Sequence, residues 1–396
     1  MITIQEALDI IEYNAIDLGH ELIPLQESGS RILAEDLHSD RPLPPYDRVT
    51  MDGIAINYNG FKETAGSLEV TGIAPAGAPQ ATLDSPKACL EVMTGAVLPK
   101  GADTIIRYED VNIRDGLAHV LIDTVVKGMN VHTQGSDIEE NALLLKTGSR
   151  IRPQEIGIAA SIGKHQIQVK KNPKTIILST GDELVDIHQT PESHQIRRSN
   201  SYTNTRLVAQ WGIKADQLHL PDDEGIILEK LEYILVHYDL VILTGGVSKG
   251  KFDFIPKALK DLGVQQLFHK VRQRPGKPIW FGRKDNTIVF GLPGNPVSSF
   301  VCARKYIFHW LHKSQQTQAS SNMYARLASD VTFKPDLHCF LPVSVSTNEE
   351  GILQAEVFPG NGSGDFANLK NANAFIELPR GKDLFLAGEI YPILAV

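Results

Sequence analysis

The stretch from about residue 172 to 313 limits the possible folds of this chain more than any other, because buried-strand patterns and helix patterns alternate along it four times. Strands are predicted at Thr175–Ser179, Ala215–Leu220, Leu240–Thr244 and Thr287–Phe290. Helices are predicted at Asn200–Trp211, Glu224–His237, Phe254–Leu262 and Pro296–His312. Apolar strands separated by helices imply a parallel sheet covered on both faces, since parallel neighbours are joined by crossovers. In such a sheet the strand carboxyl ends share one edge, and ligands bind in the crevice there. The expected class is multidomain α/β, with a central doubly wound domain at 172–317.

The flanks read differently. Thr3 to Gly19 is predicted helical, with Thr3 and Glu6 forming a capping box and Ile4, Leu8, Ile11, Ala15 and Leu18 an apolar stripe. A short helical piece is expected around Ser30–Leu37. Arg41-Pro-Leu-Pro-Pro45 cannot be helical and marks a crossing into a second domain. From 46 to 137, β-branched runs at Leu68–Ile73, Thr104–Tyr108 and Ala118–Val126 alternate with glycine and proline, as in an antiparallel β-domain. Pro153–Gly163 reads as a helix with proline in its first turn, packing back on the first helix. The first domain is therefore expected to be discontinuous, 1–45 with 138–171, and 46–137 to be inserted. The tail, 318–396, reads as a small β-barrel or sandwich.

The 396 residues carry a formal charge of −8, which argues against a surface built for nucleic-acid phosphates. Three scattered cysteines, Cys89, Cys302 and Cys339, offer neither a disulfide framework nor zinc-ligand spacing, and fit a reducing compartment. The N-terminus lacks a signal-peptide pattern, and no apolar run approaches the roughly 20 residues that span a bilayer. A cytoplasmic protein, with no membrane or nucleic-acid partner, is expected.

The chemistry is expected in four loops after the central strands. They are Ser179-Thr-Gly-Asp-Glu183, Pro221-Asp-Asp-Glu224, Thr244-Gly-Gly-Val-Ser-Lys-Gly-Lys-Phe-Asp253 and Gly291-Leu-Pro-Gly-Asn-Pro296. Gly245 to Lys251 fits seven positions of a Walker A loop, but Phe252 stands where a hydroxyl must hold the nucleotide's magnesium. Asn295 and Pro296 suit the cap and first position of a helix, whose free N–H groups could seat an oxyanion. Lys270-Val-Arg-Gln-Arg-Pro-Gly-Lys277 places four cations in eight residues around a turn, which suits phosphate or pyrophosphate. Asp182, Glu183, Asp222, Asp223 and Asp253 should converge near them. Like charges converge at modest cost only around a cation such as Mg2+.

Ser179-Thr-Gly-Asp-Glu-Leu184, Ser199-Asn-Ser-Tyr202, Thr244-Gly-Gly-Val-Ser248 and Gly291-Leu-Pro-Gly-Asn-Pro-Val297 together resemble the MoeA and gephyrin E-domain family. Met51-Asp-Gly53, Met93-Thr-Gly-Ala96 with Pro99-x-Gly-Ala-Asp103, and Gly135-Ser-Asp137 add motifs in the same order, so the resemblance spans essentially the whole chain. It implies a MogA-like central domain and molybdopterin molybdenumtransferase activity: molybdate enters adenylylated molybdopterin as AMP leaves, with Mg2+ as cofactor. It also implies a cytoplasmic homodimer with clefts shared between subunits and a molybdopterin adenylyltransferase as a companion.

On that resemblance Asp52, Thr94 and Asp137 face Glu183, Asp222, Asp253, Lys270 and Arg274 across the interface. Asp222 and Asp253 hold Mg2+ or orient water, and Lys270, Arg274 and Lys277 hold the pyrophosphate. Ser179, Thr180, Gly181, Asp182, Asn200, Ser201, Thr244, Gly245, Gly246, Ser248, Pro293, Gly294, Asn295 and Pro296 bind substrate. This sequence departs from the family pattern at Val49 and Thr50, at Arg198, at Arg274 where lysine is frequent, and at His338-Cys-Phe340, which lacks an expected arginine. Gly362-Ser-Gly364 stands in a family-like position. Two other readings are an adenylyltransferase, which needs only the central unit, and a gephyrin-like scaffold, which would bind a partner without turnover.

Overall fold

Alternation of strand and helix becomes a mixed six-stranded sheet in the computed structural model, which describes residues 1–246, 254–317, 323–358, 362 and 364–396. Its elements are β1 (Thr175–Thr180), α1 (Ser199–Ala209), β2 (Ala215–Leu220), α2 (Glu224–His237), β3 (Leu240–Thr244), α3 (Ile255–Asp261), β4 (Gln265–His269), β5 (Trp280–Lys284), β6 (Thr287–Leu292) and α4 (Pro296–Cys302). The strand order is β2-β1-β3-β6-β5-β4. The first four strands are parallel, with Ser179 paired to His219 on one side and Thr244 on the other; β1, β3 and β6 are buried throughout, whereas β2, expected to be buried, exposes Asp216 and Gln217 at the sheet edge. Strands β5 and β4 add an antiparallel edge that the sequence reading did not anticipate. β2 and β3 follow β1 on opposite sides, so the strand order reverses at β1. That reversal opens a crevice at the carboxyl ends of β1 and β3.

Both faces are packed. Ile177, Ile242, Phe281 and Phe290 join Trp211, Tyr306 and Trp310 on one side, while Ile176, Val241 and Val289 meet Leu231 and Ile234 of α2 on the other. The expected single helix from Pro296 to His312 is interrupted. A π turn at Ala303–Ile307 separates α4 from a helix at Phe308–Ser314.

The N-terminal helix is shorter than predicted and spans Ile4–Tyr13, with the Thr3/Glu6 capping box formed. It ends because Asn14 closes the last turn and the following chain is captured elsewhere. The Asn14 carbonyl accepts from Trp310 Nε1 at 3.1 Å, and Ile16 N donates to Ser314 Oγ at 3.1 Å. The helical piece expected at Ser30–Leu37 is instead extended. Ser30 and Leu33 donate to Ile151 and Ser149, and Ala34 donates to Gln168, so distant partners override the local pattern. The two stretches expected to share a first domain are joined by a strand pairing: His20–Pro24 pairs antiparallel with Gln166–Lys170. The predicted helix after Arg152 forms at Pro153–Ser161.

The tail closes into a barrel. Strands Met323–Leu327, His338–Thr347, Leu353–Val357, Ala374–Leu378 and Ile390–Ala395 pair in a ring, because His338–Thr347 bonds to both Leu353–Val357 and Ala374–Leu378. Closure leaves no free edge in that ring.

By compactness the chain forms two units. One comprises 1–35, 147–156 and 165–396; the other comprises 36–146 and 157–164. The second unit holds a six-stranded sheet with Gly53–Ile56, Ser67–Ala74, Ala88–Val92, Thr104–Arg107, Val111–Arg114 and Leu117–Val120. It is mostly antiparallel as expected, but Ser67–Ala74 and Ala88–Val92 run parallel. The strand expected to reach Val126 stops at Val120.

Phe290 is fully buried in a central strand between two packed faces. Phe290→Ala is expected to destabilise the first unit by about 3–5 kcal/mol, measured as a lowered urea midpoint of near-UV circular dichroism.

Candidate active site

The strand ends at the order reversal carry small and hydroxyl residues, and these line a cavity of about 430 Å³. Ser179 and Thr180 end β1, Thr244 ends β3 and Gly245 follows it, Gly294 and Asn295 follow β6, Pro296 opens α4, and Asn200 and Ser201 lie in the first turn of α1. The sequence reading assigned all nine to substrate. Close packing explains the glycines: a Cβ on Gly246 would lie 2.6 Å from Thr180 Oγ1, and Gly245 adopts φ +89°. Asn200 Nδ2 donates to the Gly294 carbonyl at 2.7 Å, tying the start of α1 to the loop after β6. Ser179 Oγ lies 3.0 Å from Nδ1 of His219 on the neighbouring strand.

Several expected residues lie outside that lining. Gly181 and Pro293 are buried as backbone supports of their loops. Asp182 Oδ1 accepts from the backbone N–H of Asp222 at 3.2 Å, so these two acids meet beside the cavity where Glu183 lines it. Asp223, expected to converge with the other acids, is engaged as a helix cap: its carboxylate accepts from Ile226 N at 2.9 Å at the start of α2. Asn295 precedes α4 as expected, but its side chain makes no cap hydrogen bond. Ser248 and Asp253 lie outside the described residues. Among the described residues no three metal-ligating side chains cluster.

The cationic loop lies between β4 and β5. Arg274 and Lys277 are exposed and Lys270 is half-buried with φ +73°. Backbone bonds hold the loop from several directions: Arg272 N donates to Ile2 O at 2.8 Å, Val271 N to Lys277 O at 3.0 Å, and His338 N to Arg272 O at 3.0 Å. Arg274 also lines a second, more apolar cavity of about 260 Å³ with Phe333, Phe340, Leu341 and Phe358 of the tail. Gly364 reaches the first cavity and Gly362 the second. Ser363 lies outside the described residues.

Residues that the sequence reading did not assign to the site also line the first cavity, namely Leu184, Ile196, Arg197, Arg198 and Ser199. Arg198 pairs with Asp186. Two adjacent arginines just ahead of Ser199-Asn-Ser were the available signal.

In the second unit Asp52 and Thr94 lie in direct contact. Both hydrogen bonds of that contact are short and converge on one oxygen: Thr94 N and Oγ1 donate to Asp52 Oδ1 at 2.6 and 2.7 Å. The Thr94 backbone N–H, then its hydroxyl, hold the exposed Asp52 carboxyl below the usual range. Asp137 stands on a different contact, with His132 Nε2 at 2.8 Å, while Arg48 reaches the other ring nitrogen at 3.1 Å.

Three family models cover most of the chain: the MoeA N-terminal region (domain I and II) over residues 2–163, a probable molybdopterin binding domain over 176–313, and the MoeA C-terminal region (domain IV) over 324–395. A Synechocystis protein named molybdopterin molybdenumtransferase is 38% identical over 399 residues, covering 100% of both chains. The chain belongs to the MoeA family. A Haemophilus influenzae protein of the same name is 30% identical, covering 99% of this chain and 98% of its own. The crystal structure of the molybdopterin biosynthesis MoeA protein from Pyrococcus horikoshii OT3 aligns over 100% of each chain, with a TM-score of 0.82 and 29% identity. No described helix is long and apolar enough to cross a membrane.

Since the folded Asp52 carboxyl titrates below its unfolded value, its stabilising bonds are intact above the unfolded pKa and lost as pH falls through the folded one. Thr94→Val removes only the hydroxyl donor. The Asp52 midpoint, followed by carboxyl NMR, is expected to rise yet remain below the ordinary aspartate value, because the backbone donor persists.

Proposed function

We infer that the chain is a molybdopterin molybdenumtransferase, which joins molybdate to adenylylated molybdopterin with release of AMP. The observation that carries this is the cavity at the reversal of strand order, framed by Ser179, Thr180, Asn200, Thr244 and Gly294 in a chain of this family. Its hydroxyls, amide and close-approach glycines suit a polar nucleotide–pterin conjugate. The acids and the cationic loop supply what anhydride chemistry needs.

In this reading Arg274 and Lys277, with Lys270, take the two linked phosphates and offset charge that develops on the bridging oxygen as the P–O bond breaks. One water is consumed: its oxygen bonds to phosphorus, the bridge oxygen leaves with the other phosphate, and AMP and the pterin monophosphate separate. Molybdate is substrate. Its metal is captured by the two dithiolene sulfurs, and two protons carry one displaced oxygen away as water.

The Asp182 carboxylate accepts the Asp222 backbone N–H, and the two carboxylates offer oxygen ligands of the kind that suits a hard cation keeping several waters. Asp222, with Asp253, would hold Mg2+, which when bound lowers the charge on phosphate oxygens. Glu183 orients water at the rim of the cavity. Asp52, Thr94 and Asp137 complete the cleft of the second subunit in a cytoplasmic homodimer, and a molybdopterin adenylyltransferase is the natural supplier of the conjugate.

The test is AMP release from adenylylated molybdopterin with Mg2+, with and without molybdate, following metal retained on the pterin. Molybdate-stimulated release with metal capture is expected, and Asp222→Asn is expected to slow it by about 10²-fold or more. A folded protein that releases no AMP overturns the reading. Formation of adenylylated pterin from ATP would assign an adenylyltransferase instead.

A further inference from the structure

Burial alternates along the cationic loop. Arg272, Arg274 and Lys277 are exposed, while Val271 and Gln273 are fully buried. A buried amide requires partners for its donors and acceptor. The fully buried Tyr306 donates its hydroxyl to Gln273 Oε1. The Gln273 amide donates to the Pro275 carbonyl at 3.0 Å and to Cys302 Sγ at 3.6 Å. The Cys302 thiol in turn donates to the Gly276 carbonyl at 3.6 Å. Both middle carbonyls of the Arg274-Pro-Gly-Lys277 turn are thus held from beneath by one connected set of side chains.

Two features show how closely this support fits. Gly276 has φ +91°, and a Cβ there would lie 2.5 Å from Cys302 Sγ and 2.6 Å from Gln273 Nε2. Tyr306 itself lies in the π turn at Ala303–Ile307. A π turn inserts an extra residue per turn and rotates the side chains that follow it. Burial pushes the Tyr306 hydroxyl and the Cys302 thiol above their ordinary pKa values, so both remain protonated donors at neutral pH.

We propose that Tyr306, Gln273 and Cys302 are positioning residues that hold the Arg274–Lys277 turn in the shape that receives linked phosphates. This rests on the reading of that loop as the pyrophosphate-binding element. None of the three needs to touch substrate. They act by fixing, before binding, a turn whose ordering would otherwise oppose it.

Inorganic pyrophosphate is the probe, titrated calorimetrically into the full-length protein and into Y306F, R274A and the Y306F/R274A double variant. Y306F is expected to bind about tenfold more weakly. The double variant should match R274A within about twofold, since coupled residues do not give independent losses. Losses that multiply would overturn the inference and leave the loop's own role standing. If R274A binds pyrophosphate as tightly as the parent, the loop reading and this inference fall together.

A second pair keeps the test independent of Tyr306. Cys302→Ser keeps a hydroxyl donor to Gly276 and should retain affinity, whereas Cys302→Ala should lose it. Hydrogen exchange should quicken at Gly276 and Lys277 in Y306F while β1 and β3 stay protected. Equal losses in both Cys302 variants, or uniform loosening of the sheet, would show a merely structural role.

Discussion

The parallel pairing of Thr175–Thr180 with Leu240–Thr244 is the constraint on which the site depends. With Ser179 opposite Thr244, both strands release their chains at the same level, and each continues into a glycine turn. Apolar burial on both faces fixes this register. A slip by one residue would exchange Ile177 and Ile242 with Ile176 and Val241 between two different cores. Hydrophobic packing far from the crevice therefore sets where Ser179, Thr180 and Gly245 stand.

The architecture of the central unit was largely legible in the sequence. Ala215–Leu220, Leu240–Thr244 and Glu224–His237 form with the bounds read from their patterns. The two antiparallel strands were not legible, because Gln265, Gln266, Arg283 and Lys284 break the apolar run that marks the parallel ones. The false helix at Ser30–Leu37 failed for the opposite reason: its local pattern was adequate, but partners more than a hundred residues away claimed its backbone.

The site was legible as a set of loops rather than as a geometry. Strand-end glycines and hydroxyls announced the crevice, and ten assigned residues, Glu183 among them, share its lining. Asp223 was misread because an acid that caps a helix looks, in sequence, like an acid that serves a ligand. Gln273 was overlooked because a glutamine among four cations reads as solvated. Only the structure shows that the chain passes it inward, over a helix whose periodicity is broken at Tyr306.

The pairing of His20–Pro24 with Gln166–Lys170 has a consequence for how the chain is made. The two partners are separated by about 140 residues of chain, most of which belong to the other compact unit. At typical synthesis rates of roughly 5–20 residues per second, the first strand leaves the ribosome many seconds before its partner exists. Its entropic penalty for closure grows only slowly with the length enclosed. The intervening unit has its own cores and, once folded, shortens the effective gap between the two strands. Assembly of this N-terminal pairing is thus a late event that waits on synthesis, and until then a strand with unsatisfied edges must be kept from other partners.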